Sequence, residues 1–496
     1  MSKQIPRYLP PPDPQPYSPR YYDIGMNLTD TMFRGIYHGK QYHAPDIPEV
    51  LKRARDRHVR TLLLTGSSIE ESRQLISMVA GLKNASPVKL YYTVGVHPCC
   101  VNEFAEASGE DPLPATTGTD STEKVESSST AVETDQQDKD SKQPQDNSAG
   151  SKDSMEKEVD ETARAVSNAS VNDEAAETAS AESGKTIWDV ITANPVTAST
   201  EATAAAELAK SHPDTNEYSM GLYKSLISSD ETVRNASISI VKQRVKELYA
   251  LLQSRLDDPD FRAIGEFGLD YERLHYSCRE LQLIFFAEQL KLVCLLKANK
   301  PLFLHMRKAG PDFTEILRRF IEGFTDERDT HGLRELTNTD KPIHYKFAPD
   351  QKFVVHSYSD SLEDLDNLLG LSPHCYIGLN GASFRTDENI EAVRRLPLDR
   401  MLLETDAPWC EIRPTHVAQQ FLKNWKPQPI ANPYKTVKKN KLAKMPREEW
   451  VQCMVKSRNE PCMMEQVAFV VAEVKKCPIE EIVEIAWKNS CKVFGK

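Results

Sequence analysis

Short apolar runs recur along the chain and are separated by segments with helical periodicity. The runs lack the strict alternation of a half-exposed strand, which is typical of strands buried on both faces of a parallel sheet covered by helices. The pattern predicts eight strands, at Tyr22–Leu28, Val59–Thr65, Leu90–Val96, Ala263–Leu269, Pro301–His305, Phe353–His356, Cys375–Leu379 and Met401–Glu404.

Helices are predicted between these strands. Apolar residues from Val241 to Leu252 repeat at i, i+4, i+7 and i+11, which places them on one helix face ahead of the fourth strand. The helix after that strand is expected to have Ser277 as its N-cap, with Glu280 three residues on. This alternation predicts an α/β fold, a (β/α)8 TIM barrel, with a doubly wound open sheet as the alternative. Further helices are expected at Pro48–Arg57, Ile69–Leu82, Gly310–Phe320, Leu362–Leu369, Asn389–Leu396, Met463–Lys475 and Ile479–Val493.

A long polar segment separates the third predicted strand from the fourth. Between Glu106 and Lys185 there are 20 acidic and 7 basic residues and no aromatic residue, so this segment accounts for the formal charge of −11 of the 496-residue chain. Such a composition buries too little apolar surface to offset the entropy of ordering. We therefore expect a disordered acidic insertion over residues 106–214, a disordered Pro-rich tail over residues 1–20, and one barrel formed by residues 21–105 and 215–496.

The chain carries no signal for export or for a membrane. No apolar run is long enough to span a bilayer, and the Pro-rich N-terminus does not resemble a secretory signal. The ten cysteines are scattered and form no CxxC pair. These features predict a protein of the cytoplasm or the nucleus, without disulfides.

Ionisable residues lie at the ends of five predicted strands, and in a barrel of this class those ends form the active site. Taken singly, each residue has a structural alternative: a core histidine, a helix cap or a turn residue. Taken together, they favour a metal centre, because one shared ion would satisfy several buried polar groups at once. Imidazoles with carboxylates suit a borderline or hard divalent cation. The residues are His97, Glu266, His305, His356 and Asp406.

The motifs around these residues resemble those of the TatD family of metal-dependent deoxyribonucleases, which belongs to the amidohydrolase-like barrel group. The resemblance is greatest to the eukaryotic branch of the TatD family. The resemblance covers about residues 20–105 and 217–496. The motifs are Asp23–Thr29, Gly95–Pro98, Gly265–Asp270, Leu304–Arg307, Val355–Ser357 and Glu404–Trp409, with Arg458–Pro461 similar to a late loop of the family.

This resemblance implies a two-metal phosphodiesterase that acts on DNA ends or single strands, as a 3′→5′ exonuclease. Glu266 would bridge both ions, His305 and His356 would hold one of them, and Asp406 would hold the other and activate the attacking water. His97 and Arg307 would contact substrate phosphate. The two divalent ions would be Mg²⁺, with Mn²⁺ or Zn²⁺ as alternatives. The protein is expected to be a monomer and to make no contact with membranes.

One motif departs from the family pattern. Many relatives carry His-x-His at the end of the first strand, where this chain has Asn27, Leu28 and Thr29. Amide and hydroxyl oxygens are poorer ligands than imidazole, so the metal site next to Asn27, at the end of the first strand, is expected to be the weaker of the two. Asn27 either contacts this ion weakly or only shapes the pocket.

The lysines between Tyr434 and Lys441 are the candidate contact with the DNA backbone, or else a solvated loop. Two other functions remain open from the sequence. One is a metal-dependent ester or amide hydrolase, deacylase-like, on the same barrel. The other is a non-catalytic barrel that binds protein partners.

Overall fold

The computed structural model describes residues 18–107, 216–427, 429 and 433–496. The predicted Pro-rich tail up to residue 17 and the predicted acidic insertion from residue 108 lie outside the described residues. The domain boundaries predicted there stay predictions.

A single sheet of parallel strands forms the centre of the molecule, and all eight predicted strands are confirmed. Each strand pairs with its neighbour in the chain, as a barrel requires. The fourth strand is longer than predicted and runs on to Asp270. The strands are β1 (Tyr21–Met26), β2 (Val59–Leu64), β3 (Lys89–Val94), β4 (Phe261–Asp270), β5 (Leu302–Arg307), β6 (Phe353–His356), β7 (Cys375–Leu379) and β8 (Met401–Leu403).

The sheet closes on itself between the last strand and the first. Met26 forms a parallel bridge with Ala407, just beyond β8. The N–H of Asp406 donates to the carbonyl of Gly25 at 2.8 Å, and the N–H of Asn27 donates to the carbonyl of Ala407 at 2.8 Å. The fold is therefore a (β/α)8 barrel, and the open-sheet alternative is wrong.

Helices cover the outside of the barrel, and each predicted helix is present. One further helix, Glu217–Leu226, was not predicted, and the helix predicted from Val241 begins at Glu231. The helix after β4 begins at Arg279 with Cys278 as its N-cap, so the prediction of Ser277 as the cap is wrong. The Ser277 hydroxyl donates instead to the carbonyl of Cys99 at 3.2 Å. The main helices are α1 (Ile47–Asp56), α2 (Ile69–Leu82), α3 (Glu217–Leu226), α4 (Glu231–Arg255), α5 (Arg279–Leu296), α6 (Gly310–Glu322), α7 (Leu362–Leu371), α8 (Asp387–Arg395), α9 (Met464–Lys475) and α10 (Ile479–Phe494).

The barrel interior is apolar at one end and polar at the other. Ile24, Leu63, Phe303 and Tyr376 are buried in one interior cluster, which Phe494 at the end of α10 joins. Phe303 lies two residues before His305 on β5, and its ring stacks on His356 with 4.5 Å between centroids. The polar residues of the strand ends therefore rest on a packed apolar layer, as in other barrels of this class.

Two expectations about the rest of the chain can be compared with the structure. All ten cysteines are free. Within the part of the chain that the structure describes, no helix has both the length and the apolar character needed to cross a membrane.

Candidate metal centre

The carboxyl ends of β4, β5 and β6 bring three of the predicted side chains together. His305 on β5 is the direct register partner of His356 on β6, so the two imidazoles lie side by side. Glu266 lies where the register of β4 against β5 shifts, between Gly265 and Phe267. An extra residue of this kind re-aims a side chain relative to the regular alternation, and here the Glu266 carboxylate meets both imidazoles.

One oxygen of Glu266 forms the centre of this cluster. Its Oε1 atom lies 2.7 Å from His356 Nε2, 3.0 Å from His305 Nδ1 and 3.3 Å from His97 Nε2. Burial alone would raise the pKa of Glu266, but the neighbouring imidazoles, His356 foremost, hold it well below its usual range. Glu266 is therefore an ionised carboxylate in contact with three rings.

His305 faces carboxylates with both ring nitrogens. Nε2 lies 3.1 Å from Oδ2 of Asp270, a fully buried side chain. Burial opposes the charged ring, but hydrogen bonds to Asp270 and Glu266 outweigh it and raise the pKa of His305. Because a carboxylate only accepts, the Nε2 proton faces Asp270. A cation beside Glu266 would displace the proton from Nδ1 and leave the proton on Nε2, as in carboxylate–histidine–metal arrangements.

His356 repeats this arrangement with a different carboxylate. Its Nδ1 atom lies 3.6 Å from Oε2 of Glu404, which leaves Nε2 directed at Glu266. At that distance neither Nδ1 nor Oε2 has a hydrogen-bond partner among the described residues, although both atoms are buried. A small movement that closes this gap would fix the proton on Nδ1 and free Nε2 for a ligand.

Glu404 is itself held in place by neighbouring groups. Its Oε1 atom accepts from the N–H of Ser357 at 2.5 Å and from the side-chain amide of Asn380 at 3.1 Å. Gly25 on β1 leaves room for the other oxygen, because a Cβ at that position would lie 2.8 Å from Glu404 Oε2. The carboxylate behind His356 is thus part of the barrel wall.

His97 differs from the other two histidines. Its Nδ1 atom accepts a hydrogen bond from the N–H of Cys99 at 3.0 Å, so the ring proton must be on Nε2. Burial, and next the nearby His305, lower the pKa of His97 to about 3, which keeps the ring neutral. An Nε2–H group donates hydrogen bonds and has no lone pair for a metal. This geometry suits contact with a carboxylate or a phosphate oxygen.

The chemistry of the donor set fits a divalent cation. For ligand bonds of about 2.0–2.2 Å, neighbouring ligand atoms lie roughly 3 to 3.5 Å apart. The ligand atoms of Glu266, His305 and His356 lie between 2.7 and 3.4 Å from one another. His97, Glu266 and His305 also offer atoms within 4.8 Å of one another, but His97 would first have to exchange its proton between nitrogens.

Asp406 lies where β8 meets β1, next to the residues that follow β1. Its Oδ1 atom accepts from the amide of Asn27 at 3.0 Å, and its Oδ2 atom accepts from the thiol of Cys410 at 3.1 Å. The Asn27 oxygen accepts from the hydroxyl of Thr65 at 2.6 Å. Asn27 therefore positions Asp406 in this arrangement, and the predicted contact of Asn27 with an ion stays a prediction.

The segment that carries Asp406 is anchored on both sides. Asp23 of β1 accepts from the N–H of Thr405 at 2.9 Å, and the Asn459 amide donates to the carbonyls of Thr405 and Trp409 at 2.9 and 2.8 Å. Burial raises the pKa of Asp23 to about 8. The first motif and the late loop motif thus both position Asp406, which has a positive φ of 55°. A non-glycine residue in this conformation costs free energy and needs such support.

Arginines surround the mouth of the barrel. Arg307 forms an ion pair with Glu272. Arg385, after β7, is only partly exposed and has no ion pair within the described residues. Its partial burial, followed by the charges of Arg307 and Arg413, lowers its pKa. The predicted phosphate contact through Arg307 stays a prediction, and Arg385 is a second candidate.

The lysine run is ordered by local contacts. Lys435–Val437 forms a short parallel sheet with Cys453–Val455. Lys439 lies over the rings of Tyr37 and Tyr42, 4.7 and 4.4 Å from their centroids. The predicted contact of these lysines with DNA stays a prediction.

Three side chains of the site were not predicted from the sequence. Asp270 lies four residues after the predicted ligand Glu266 on the same strand, and this even spacing is a signal that the two share a face. Glu404 ends the predicted eighth strand, two residues before Asp406, and a charged residue at that place was its signal. Arg385 had no such signal, since it follows β7 in a loop.

These features define a (β/α)8 barrel protein with a histidine–carboxylate centre at the carboxyl ends of its strands. A family model described as "TatD related DNase" matches residues 152–495. The "Deoxyribonuclease Tat-D" of Saccharomyces cerevisiae is 42% identical over 96% of this chain and 91% of its own length. The chain therefore belongs to the TatD-related DNase family.

Two further comparisons agree with this assignment. The crystal structure of an uncharacterized amidohydrolase from Saccharomyces cerevisiae superposes with a TM-score of 0.68 and 39% identity, over 96% of this chain and 100% of that one. The "3'-5' ssDNA/RNA exonuclease TatD" of Erwinia amylovora is 27% identical over 50% of this chain and 72% of its own length.

Proposed function

We propose that this protein is a divalent-metal-dependent deoxyribonuclease that removes nucleotides from the 3′ end of DNA. The observation that carries the proposal is the position of Glu266 Oε1, which lies within 3.3 Å of three imidazoles, two of them with carboxylates behind the ring. The yeast relative is named a deoxyribonuclease, and the Erwinia relative a 3′–5′ exonuclease.

In this proposal the residues of the centre have separate roles. Glu266 would hold both ions, His305 and His356 would hold one of them, and Asp406 would hold the other. Mg²⁺ is the first candidate, with Mn²⁺ and Zn²⁺ as alternatives. When bound, such ions would lower the pKa of a water molecule and neutralise charge on the phosphodiester oxygens.

Asp406 is the proposed base for the attacking water. Burial is the main cause that raises its pKa to about 6, so the carboxylate is ionised at neutral pH and still basic enough to accept a proton. The water oxygen forms the new bond to phosphorus, and its proton passes to Asp406. The bond to the 3′ oxygen of the remaining strand breaks, and that oxygen takes up a proton from solvent to become the new 3′ hydroxyl. A nucleoside 5′-monophosphate leaves.

The mouth of the barrel favours a nucleic acid over a neutral ester or amide. Arg307 and Arg385 supply planar cations for phosphate, and the Nε2–H of His97 is a donor inside the site. Trp409, three residues after Asp406, exposes 38% of its surface and offers a ring on which a base could stack.

The test uses end-labelled single-stranded and duplex DNA, a matching RNA and a panel of esters and amides. With Mg²⁺ or Mn²⁺ the protein should shorten the DNA stepwise from the 3′ end, and chelator should stop the reaction. Glu266→Gln and Asp406→Asn should each slow it by roughly 10³ or more, since each removes several kcal/mol of transition-state stabilisation.

The matched controls are Glu315→Gln and Asp366→Asn, which remove exposed carboxylates from surface ion pairs and should leave the rate unchanged. Hydrolysis of esters or amides without any cleavage of DNA would refute the proposal. A Glu266→Gln protein as active as wild type would refute the assigned centre whatever the substrate. The monomeric state and the location in the cytoplasm or nucleus stay predictions.

A further inference from the structure

A second cavity lies at the opposite end of the barrel from the metal centre. It has a volume of about 610 Å³, within the range of small-molecule sites. The first residues of β1, β2 and β3 line it, together with α10. The proposed ligands of the metal centre lie at the other ends of their strands, so the two sites are separated by the apolar layer of the barrel.

Positive charge dominates this cavity. The basic side chains that line it are Arg20, Arg55, Arg60, Lys83, Lys89 and Lys496, against the single carboxylate side chain of Asp260. Asp260 is already paired with Lys83 at 2.6 Å.

Part of this charge has no counterion in the protein. No carboxylate of the described residues forms an ion pair with Arg55, Arg60 or Lys89, whereas Arg20 is paired with Glu484 at 3.2 Å. Burial and the charge of Arg55 lower the pKa of Arg60. Like charges held together without a partner are unfavourable, and an anion bound between them would relieve this cost.

Aromatic side chains form another wall of the cavity. Trp487 on α10 is half-buried, with Arg20 over its ring at 5.0 Å from the centroid and the buried ring of Tyr22 at 6.2 Å; the buried ring of Tyr91 lies next to Tyr22. The hydroxyl of Tyr22 is buried and has no hydrogen-bond partner among the described residues. Guanidinium groups that suit a phosphate, next to rings that suit a base, are the combination that recognises a nucleotide.

We propose that this cavity is a second ligand site, for a nucleoside monophosphate, bound through its phosphate by Arg55, Arg60 and Lys89 and through its base at Trp487. The site does not depend on metal or on hydrolysis. This second site could bind its ligand even if the metal centre acted on a substrate other than DNA.

The test is calorimetric titration of the full-length protein with deoxyadenosine 5′-monophosphate in EDTA, so that metal-dependent binding at the other end is absent. Wild type should bind, and Arg55→Gln/Arg60→Gln should bind at least tenfold more weakly, as should Trp487→Leu. Deoxyadenosine and inorganic phosphate should each bind wild type at least tenfold more weakly than the nucleotide. Arg55 is exposed and Arg60 half-buried, so the double variant should fold, and its thermal unfolding checks this.

Two controls separate this site from general charge and from the metal centre. Arg318→Gln/Arg395→Gln removes the same charge from exposed ion pairs elsewhere and should leave binding unchanged, as should Glu266→Gln. Absence of binding by wild type, equal losses in both double variants, or loss in Glu266→Gln alone would overturn the proposal. Inorganic phosphate binding as tightly as the nucleotide would overturn it too, since the aromatic wall would then contribute nothing.

Discussion

The two sides of the candidate centre are built from different chemistry. On the side of β5 and β6, His305 and His356 present ring nitrogens to Glu266, and each has a carboxylate near its other nitrogen. On the side of β1 and β8, Asp406 is bonded to an amide and a thiol, and no imidazole of the described residues lies within hydrogen-bond distance of it.

This difference indicates how strongly each side would bind a cation. An imidazole with a carboxylate behind it is oriented and made more basic before any ion arrives. The amide N–H of Asn27 and the thiol of Cys410 stabilise the negative charge of Asp406, but an amide nitrogen and a protonated thiol are poorer metal ligands than an imidazole nitrogen. We therefore expect one ion to be held by the protein alone and the other to depend on oxygens of the substrate.

The largest effect should come from removing an imidazole on the first side. His356→Gln should lower the affinity for the first Mn²⁺ ion by more than about a hundredfold, because loss of a direct ligand exceeds the 10–100-fold effects of groups behind the ligands. Binding is measured by calorimetry and by the Mn²⁺ electron paramagnetic resonance signal. Asp406→Asn should leave this first ion in place. Equal losses in the two variants would show that the two sides are not distinct.

A smaller effect should follow from the carboxylate behind His305. In Asp270→Asn the amide can present its NH₂ group to Nε2, which would shift the ring proton to Nδ1 and block the nitrogen that faces Glu266. Affinity for the first ion should fall by about 10- to 100-fold. The measurement is the same titration.

The control for Asp270 is Asp360→Asn on the same rim. Asp360 is also buried, but its carboxylate accepts from the N–H of Lys308 and contacts neither ligand histidine. Its substitution should leave the affinity within about twofold of wild type, since an amide oxygen can accept the same bond. An Asp270→Asn protein that binds as tightly as this control would exclude the orienting role.

The strands of the barrel could be predicted because a parallel strand buried on both faces is a continuous apolar run. Such a run can be recognised in the sequence without knowing which strands it pairs with. The positions of Glu266, His305 and His356 could be singled out in the same way, since an ionisable residue that interrupts or ends such an apolar run is visible in the sequence itself. The closure of the barrel could only be inferred from the number of units. It depends on hydrogen bonds between Gly25 and Asp406, which are far apart in the chain.

Features that depend on exact register or on proton positions could not be predicted. The extra residue on β4 that turns Glu266 toward the imidazoles arises from pairing with β5. The hydrogen bond from the N–H of Cys99 sets the tautomer of His97, and this bond cannot be predicted from the sequence motif. Ser277 is not the N-cap because the helix begins one residue later than predicted, and its hydroxyl donates instead to the carbonyl of Cys99, in a contact between residues far apart in the chain.

The smallest effect should come from the thiol on the second side. Burial raises the pKa of Asp406, and the bond from Cys410 partly lowers it. Cys410→Ala removes the donor, so the pKa of Asp406 should rise. Because the proposed base must be ionised, the acidic limb of the pH–rate profile should then move to higher pH.

The expected result is a rate below wild type on the acidic limb of the profile and equal to it near pH 8. A bound cation lowers the pKa of Asp406 in both proteins, so the direction of the difference is unchanged. Cys410→Ser keeps a donor near Asp406 and should restore the wild-type profile. A rate loss in Cys410→Ala that is the same at every pH would mean that the thiol acts through packing alone. The hydrogen bond from Cys410 would then have no effect on the pKa of Asp406.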